Sequence, residues 1–281
     1  MPSENATDPF ETWKPKGREM TAMDTATGLP KPRFGVGARM SDTVAIFFGR
    51  FALFGVVGIV AGLLMQMPSY LIFGAETLDP NGSAAGAQLI ERNPFAFVAF
   101  AIVVPLLVYS LLTAVLVLAA YDAKAGRAAN VGAYVATAFR WILPLIVMSI
   151  VAWLLIGIGF ALLLVPGLWL LGVLAVFVPV IVIEGNGFGC IRRSAALTKG
   201  YRWPIVGFTL LIYLIFYVVT LVITGVGAFL AAGSPIVFLI LQGLASGLAA
   251  ALASVAVAVT YARLREIKDG VGFTDLADVF A

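Results

Sequence analysis

Histidine is missing from all 281 residues of this chain. The commonest general base and the commonest metal ligand are therefore unavailable. A single cysteine, Cys190, allows neither an intrachain disulfide nor a cysteine cluster for a metal. Ionised residues are scarce too: Asp, Glu, Lys and Arg make up 12% of the chain, against roughly 25% in a soluble domain. No catalytic, cofactor-binding or metal-ligating residues are expected, no cofactor is called for, and the chain is read as not an enzyme.

What fills the space is apolar, at 61% of residues. The stretches 51–73, 94–120, 141–164, 168–183, 204–231 and 235–261 are read as six membrane spans, each judged against the roughly 20 apolar residues that a crossing helix needs. The fourth is short and holds Pro179, which predicts a bend or an extension by Glu184 to the interface. Within these spans there is no Asp, Glu, Lys, Arg or His. A charge at mid-bilayer costs roughly 2.5 kcal/mol or more and is kept where ions or protons are handled. Its absence argues against a pump, a proton-coupled transporter or a channel with a charged filter.

Outside the spans the chain divides readily. Residues 1–38 carry five prolines and mixed charge, and read as a disordered cytoplasmic tail. Residues 39–264 form the six-span domain, and 265–281 a cytoplasmic segment with a short helix at Thr274 to Phe280. Three short amphipathic helices precede the first, third and fifth spans. The first opens at Ser41-Asp42 and carries Val44, Phe47, Phe48 and Phe51 on one face. The second opens at Asn130 and carries Val131, Tyr134, Val135 and Ala138. The third follows the break at Gly185-Asn186-Gly187, with Phe188, Ile191 and Ala195 on one face and Arg192, Arg193 and Lys199 turned away. Each runs into an arginine among aromatics: Phe48-Gly49-Arg50-Phe51, Phe139-Arg140-Trp141 and Tyr201-Arg202-Trp203. The pattern suggests three units of surface helix plus hairpin.

Basic residues set the orientation. Seven of the 18 Lys and Arg lie in the tail and first surface helix, three in 121–140, four in 184–202 and three after the last span. The 74–94 loop holds one and the other turns none. Six spans put all but one on the same side, as the positive-inside rule requires, so both termini are expected in the cytoplasm.

Few features could carry chemistry. Hydroxyls and amides inside the spans, among them Gln66, Ser110, Thr113, Ser149, Thr209, Thr224, Gln242, Ser246 and Ser254, are expected to bond to backbone or bridge helices. Gly243 and Gly247 on the sixth span, and Gly58 and Gly62 on the first, allow close helix approach; packing within the chain is preferred to dimerisation. Glu184 with Arg192 and Arg193 is a charged constellation at the interface, either an ion pair holding the loop or a site for a lipid phosphate.

The run Val165-Pro166-Gly167, Pro179, Glu184, Gly187, Arg193-Ser194, Leu197-Thr198-Lys199-Gly200 and Arg202-Trp203 resembles a bacterial membrane-domain family. That family includes the membrane domain of certain glycerophosphoryl diester phosphodiesterases and many stand-alone proteins of unsettled role. Phe34 to Phe51 and Leu264-Arg265 through Lys268-Asp269-Gly270 fit its pattern too. The resemblance implies a six-helix integral membrane protein. No hydrolase domain follows the last span to Ala281, so hydrolysis is not carried over.

Together these readings give an all-α integral membrane protein: six transmembrane helices as three hairpins, each preceded by a short amphipathic cytoplasmic surface helix, in the inner membrane. The expected function is that of a non-enzymatic multi-pass module engaging anionic lipid headgroups, or a partner membrane protein, through Arg50, Arg140, Glu184, Arg192, Arg193, Lys199 and Arg202. A homodimer is also open, and no nucleic-acid partner is expected. The alternative is a permease for a lipid-like or neutral solute. A cavity lined by Gln66, Gln242 and the span hydroxyls would favour transport, and a packed bundle would favour the module.

Overall fold

A computed structural model describes residues 32–73, 95, 104–230 and 235–270, with backbone alone for 66–73, 104–105, 227–230, 235 and 238. The expected tail as far as residue 31, the 74–94 loop, the opening of the second span, the 231–234 turn and the Thr274 to Phe280 helix lie outside the described residues, as do the side chains of Gln66 and Ser69. Among the described residues every regular element is helical: α1 Val36–Gly49, α2 Phe51–Phe73, α3 Val104–Lys124, α4 Val131–Arg140, α5 Ile142–Leu162, α6 Leu164–Leu174, α7 Phe177–Glu184, α8 Cys190–Thr198, α9 Arg202–Leu230 and α10 Pro235–Asp269.

Five helical stretches are long and apolar enough to cross a membrane: Leu106–Lys124, Ile142–Leu162, Leu164–Glu184, Arg202–Val226 and Leu239–Asp269. A sixth is reached if α1 and α2, bent by 87° at Arg50, count as one broken span. Large apolar side chains stand exposed along these helices, Trp153, Leu154, Leu214 and Leu221 among them, as befits a surface that meets hydrocarbon rather than water.

Lipid tails are as apolar as leucine, so close packing rather than exclusion of water must hold such helices together. The centre of that packing is α10, which contacts α1, α2, α3, α7, α8 and α9. Phe54, Leu116, Val117, Ala251, Val255 and Leu264 are fully buried around it. The tightest approach is α2 on α10. A Cβ on Gly62 would lie 2.0 Å from the Gly243 carbonyl oxygen, and one on Gly247 would lie 2.1 Å from that of Gly58. The two small-residue ridges thus face each other within one chain, as the sequence favoured.

Several boundaries moved. The first short helix begins at Val36, not Ser41, because Gly35 starts it from a left-handed backbone (φ 68°). Phe34, assigned to the tail, is buried edge-on against Phe208 at 6.3 Å. The chain there is held further by Tyr201 donating to the Pro32 carbonyl at 2.8 Å and Arg263 to that of Arg33 at 2.9 Å. The hairpin between the third and fourth spans turns at Leu163 alone, in extended backbone, two residues before the expected Val165-Pro166-Gly167. Pro166 is tolerated in the first turn of α6, where its missing N–H is harmless. Gly167 serves close approach rather than the turn, since a Cβ there would strike the Phe160 ring at 2.5 Å.

The fourth stretch is consequently of full crossing length, but broken. The helix stops at Leu174, turns through Ala175-Val176 and resumes at Phe177. Pro179 explains the break: it has no N–H to give the Ala175 carbonyl and its ring crowds that position.

Candidate functional site

Two sets of side chains stand out, one at an end of the bundle and one within it. At the end, the loop after α7 is built around Gly185, whose left-handed backbone (φ 65°) caps the helix beside the Trp141 ring. This turns the chain so that α8 returns along α6 and α7. Glu184 receives both Nε of Arg193, at 2.9 Å, and its Nη2, at 3.1 Å, a bidentate fork. The same Nη2 bonds to Asp269, which also accepts from Arg265 Nε at 3.2 Å. The Tyr261 hydroxyl donates to Glu184 at 3.0 Å, and the Arg265 guanidinium lies 5.9 Å from the Tyr261 ring. Two carboxylates and two guanidinium groups thus join α7, α8 and α10. Burial works against the Arg193 charge, but the two carboxylates outweigh it and hold that group above its ordinary range.

This corrects the expected reading of α8. Arg193 points inward rather than away, and Arg192 takes no part in the Glu184 pair; Phe188, 59% exposed, stays on the outside of the bundle, as a lipid-facing residue would. The buried face of α8 is instead Cys190, Ser194, Leu197 and Thr198. Ser194 donates at 2.7 Å to the Val173 carbonyl in the last turn of α6, where the helix breaks. The inward hydroxyls follow from that break. Ile191 and Ala195 keep a supporting role, packed against Ala152, Val173 and Leu174.

The other expected residues are dispersed. Arg50 donates to the Arg127 carbonyl at 2.7 Å, tying the α1–α2 elbow to the loop after α3. Nearby, Asp42 pairs with Arg39 and Lys124, both at 3.1 Å, and Tyr134 donates to Asp122 at 2.7 Å. Burial raises the Tyr134 phenol, as does its bond to Asp122. Asn130 caps α4 as expected, accepting from the Ala133 amide at 3.1 Å. Arg140 is exposed, 5.9 Å from the Trp141 ring, and Arg202 lies 4.4 Å over the Trp169 ring. The Arg192 and Lys199 side chains are exposed and make no hydrogen bond or ion pair with any described residue. These contacts bring the starts of α2, α5 and α9 and the finishes of α3, α7 and α10 to the same end of the bundle.

Inside the bundle, a cavity of about 350 Å³ lies between α3, α5, α6, α7 and α9. It is lined by hydroxyls from Ser110, Thr113, Ser149, Thr209, Tyr109 and Tyr213, and by apolar walls including Trp153, Ile156 and Phe160. Ser110 and Ser149 bond to each other at 2.8 Å, and Ser110 also bonds to the Leu106 carbonyl at 2.7 Å. A second chamber of about 260 Å³ shares Tyr109, Trp153 and Tyr213 with it. The sequence pointed to the serines and threonines but missed the two tyrosines. Gln242 is not part of the lining; it accepts from Thr224 at 3.0 Å and joins α9 to α10. Among the described residues no group of three or more His, Cys, Asp or Glu is arranged to hold a metal ion. Cys190 is buried, and burial pushes its thiol up to about 11.

No protein-family model matches this chain, and neither does any curated protein or solved structure compared with it.

Proposed function

We propose that this chain is a non-enzymatic multi-pass module of the inner membrane, with six crossings, both termini cytoplasmic, and a basic edge that engages anionic lipid headgroups. The observation that carries this reading is the division of labour along α8. Arg193 is consumed by Glu184 and Asp269, whereas the side chains of Arg192, on the same helix, and Lys199, at its end, stand exposed with no partner among the described residues. A cation held at a helix surface beside the exposed Phe188 and Trp203 suits an interface where rings sit among headgroups and charges meet phosphate. Arg140 and Arg202, each beside a tryptophan, extend the edge. The gathering of alternate helix ends in one place supports six crossings, and the resemblance to the phosphodiesterase membrane-domain family accords with that architecture.

The test is native mass spectrometry of the purified chain with phosphatidylglycerol. Each surface cation near an anionic headgroup is worth roughly 1 kcal/mol, so replacing Arg192 and Lys199 together with Ala should weaken retention about thirtyfold. Retention equal to that of the unaltered chain would remove the headgroup reading and leave a partner protein as the occupant of this edge.

A further inference from the structure

Headgroup binding uses neither the broken helix nor the cavity beside it. Backbone outside a helix is tolerated at membrane depth only where protein donors cover it or where it lines a cavity. Both solutions occur here. Ser194 covers the Val173 carbonyl. The Ala175 carbonyl accepts no hydrogen bond from the described residues, because Pro179 has no proton to give, and Leu174 and Ala175 both line the cavity. The Thr209 hydroxyl, on the same wall, also has no partner among the described residues. The Ser110 and Ser149 hydroxyls bring two protons, which the Leu106 carbonyl and one serine oxygen take up, so Ser149 retains the capacity to accept. Among the described residues no Asp, Glu, Lys or Arg lines the space. Trp153, Tyr213 and Phe160 on its walls are 54%, 43% and 39% exposed, which opens it sideways toward hydrocarbon.

We propose that this cavity binds an uncharged single-chain amphiphile that enters from the bilayer and donates hydrogen bonds from a hydroxyl head, as a monoacylglycerol does. An ionised head would find no counter-charge among the described residues, and a plain hydrocarbon would leave the Ala175 carbonyl unpaired. A hydroxyl head pairs with it while the chain lies along Trp153, Ile156 and Phe160. The volume falls at the lower end of the roughly 300–1,000 Å³ of ligand pockets, enough for a head and the first part of a chain whose remainder stays in the bilayer. The inference stands whether or not the basic edge binds anionic lipid.

The experiment is native mass spectrometry of the purified full chain with 1-monolauroylglycerol and, separately, methyl laurate, which carries a similar chain and no donor. One 1-monolauroylglycerol per chain is expected, held at least fivefold more tightly than methyl laurate. Gly157 lines the cavity, and a Cβ there would meet nothing within 4 Å. Gly157→Leu should therefore fill the space and cut occupancy at least tenfold, leaving phosphatidylglycerol retention at the basic edge unchanged. Equal retention of the two probes overturns the proposal, as does 1-monolauroylglycerol occupancy that survives Gly157→Leu. Should that variant fail to fold, the comparison of probes on the unaltered chain decides the matter alone.

Discussion

Adding one methyl group at Gly62 tests how the bundle is held. The new Cβ would lie 2.0 Å from the Gly243 carbonyl oxygen and 2.7 Å from the Gly247 Cα, both backbone atoms that cannot rotate aside. Carbon and oxygen ordinarily approach to roughly 3.3 Å, so α2 and α10 would have to part by about 1.3 Å along their closest contact. Overpacking of this kind costs about 1–3 kcal/mol, and Gly247→Ala, with its Cβ 2.1 Å from the Gly58 oxygen, should cost as much. Gly207→Ala and Gly225→Ala provide the comparison, since a Cβ at either meets nothing within 4 Å. Glycine to alanine inside an unobstructed helix gains up to about 1 kcal/mol, so the two pairs should shift stability in opposite directions. Thermal unfolding in detergent, followed by intrinsic fluorescence, reads the difference. If Gly62→Ala melts with Gly225→Ala, or if all four variants fall together, the close approach of α2 and α10 does not hold the bundle.

Three further outcomes follow from the α7–α8 region. Ser194→Ala leaves the Val173 carbonyl without its donor, with Thr198 too distant at 3.5 Å to replace it, and should cost about 1–3 kcal/mol in the same melt. Arg193→Ala should cost about 1.5–3 kcal/mol by stripping Glu184 and Asp269 of their shared donor, while Arg192→Ala stays within about 0.5 kcal/mol; equal effects would contradict the ion-pair assignment. The Cys190 thiol, raised from 9.0 to about 11, should hold roughly a hundredfold less thiolate at pH 8 than an unperturbed one. Its alkylation by iodoacetamide, followed by mass shift, should therefore be slow in the folded chain, rise about tenfold per pH unit toward 11, and become fast on denaturation.

Local rules made part of this architecture readable. Asn130 announced α4 because an amide side chain at a helix start has one evident use, and Pro179 announced the break because its missing proton cannot be supplied by context. The glycines of α2 and α10 were legible as ridges for close approach within the chain, but their spacing did not say that each is the other's partner. The inward face of α8 was not legible: a pattern of apolar spacing favours Phe188 and Ile191, whereas Ser194 and Thr198 turn inward to serve a carbonyl on a different helix. The partners of Glu184 escaped for a similar reason. Tyr261 and Asp269 lie more than seventy residues along the chain, and only the packing of α10 against α7 and α8 brings them to it. Nothing local to Tyr109 or Tyr213 marks them as cavity residues, since each reads as one more aromatic in an apolar run.

The helix that contacts six of the others is also the last of the described ones to leave the ribosome. Gly58 waits for a partner more than 180 residues downstream, which at roughly 5–20 residues per second is a delay of about 10–40 s. Throughout that interval the groove on α2 lies open to lipid and to other nascent chains, so the membrane must shelter an unfinished contact until translation closes it.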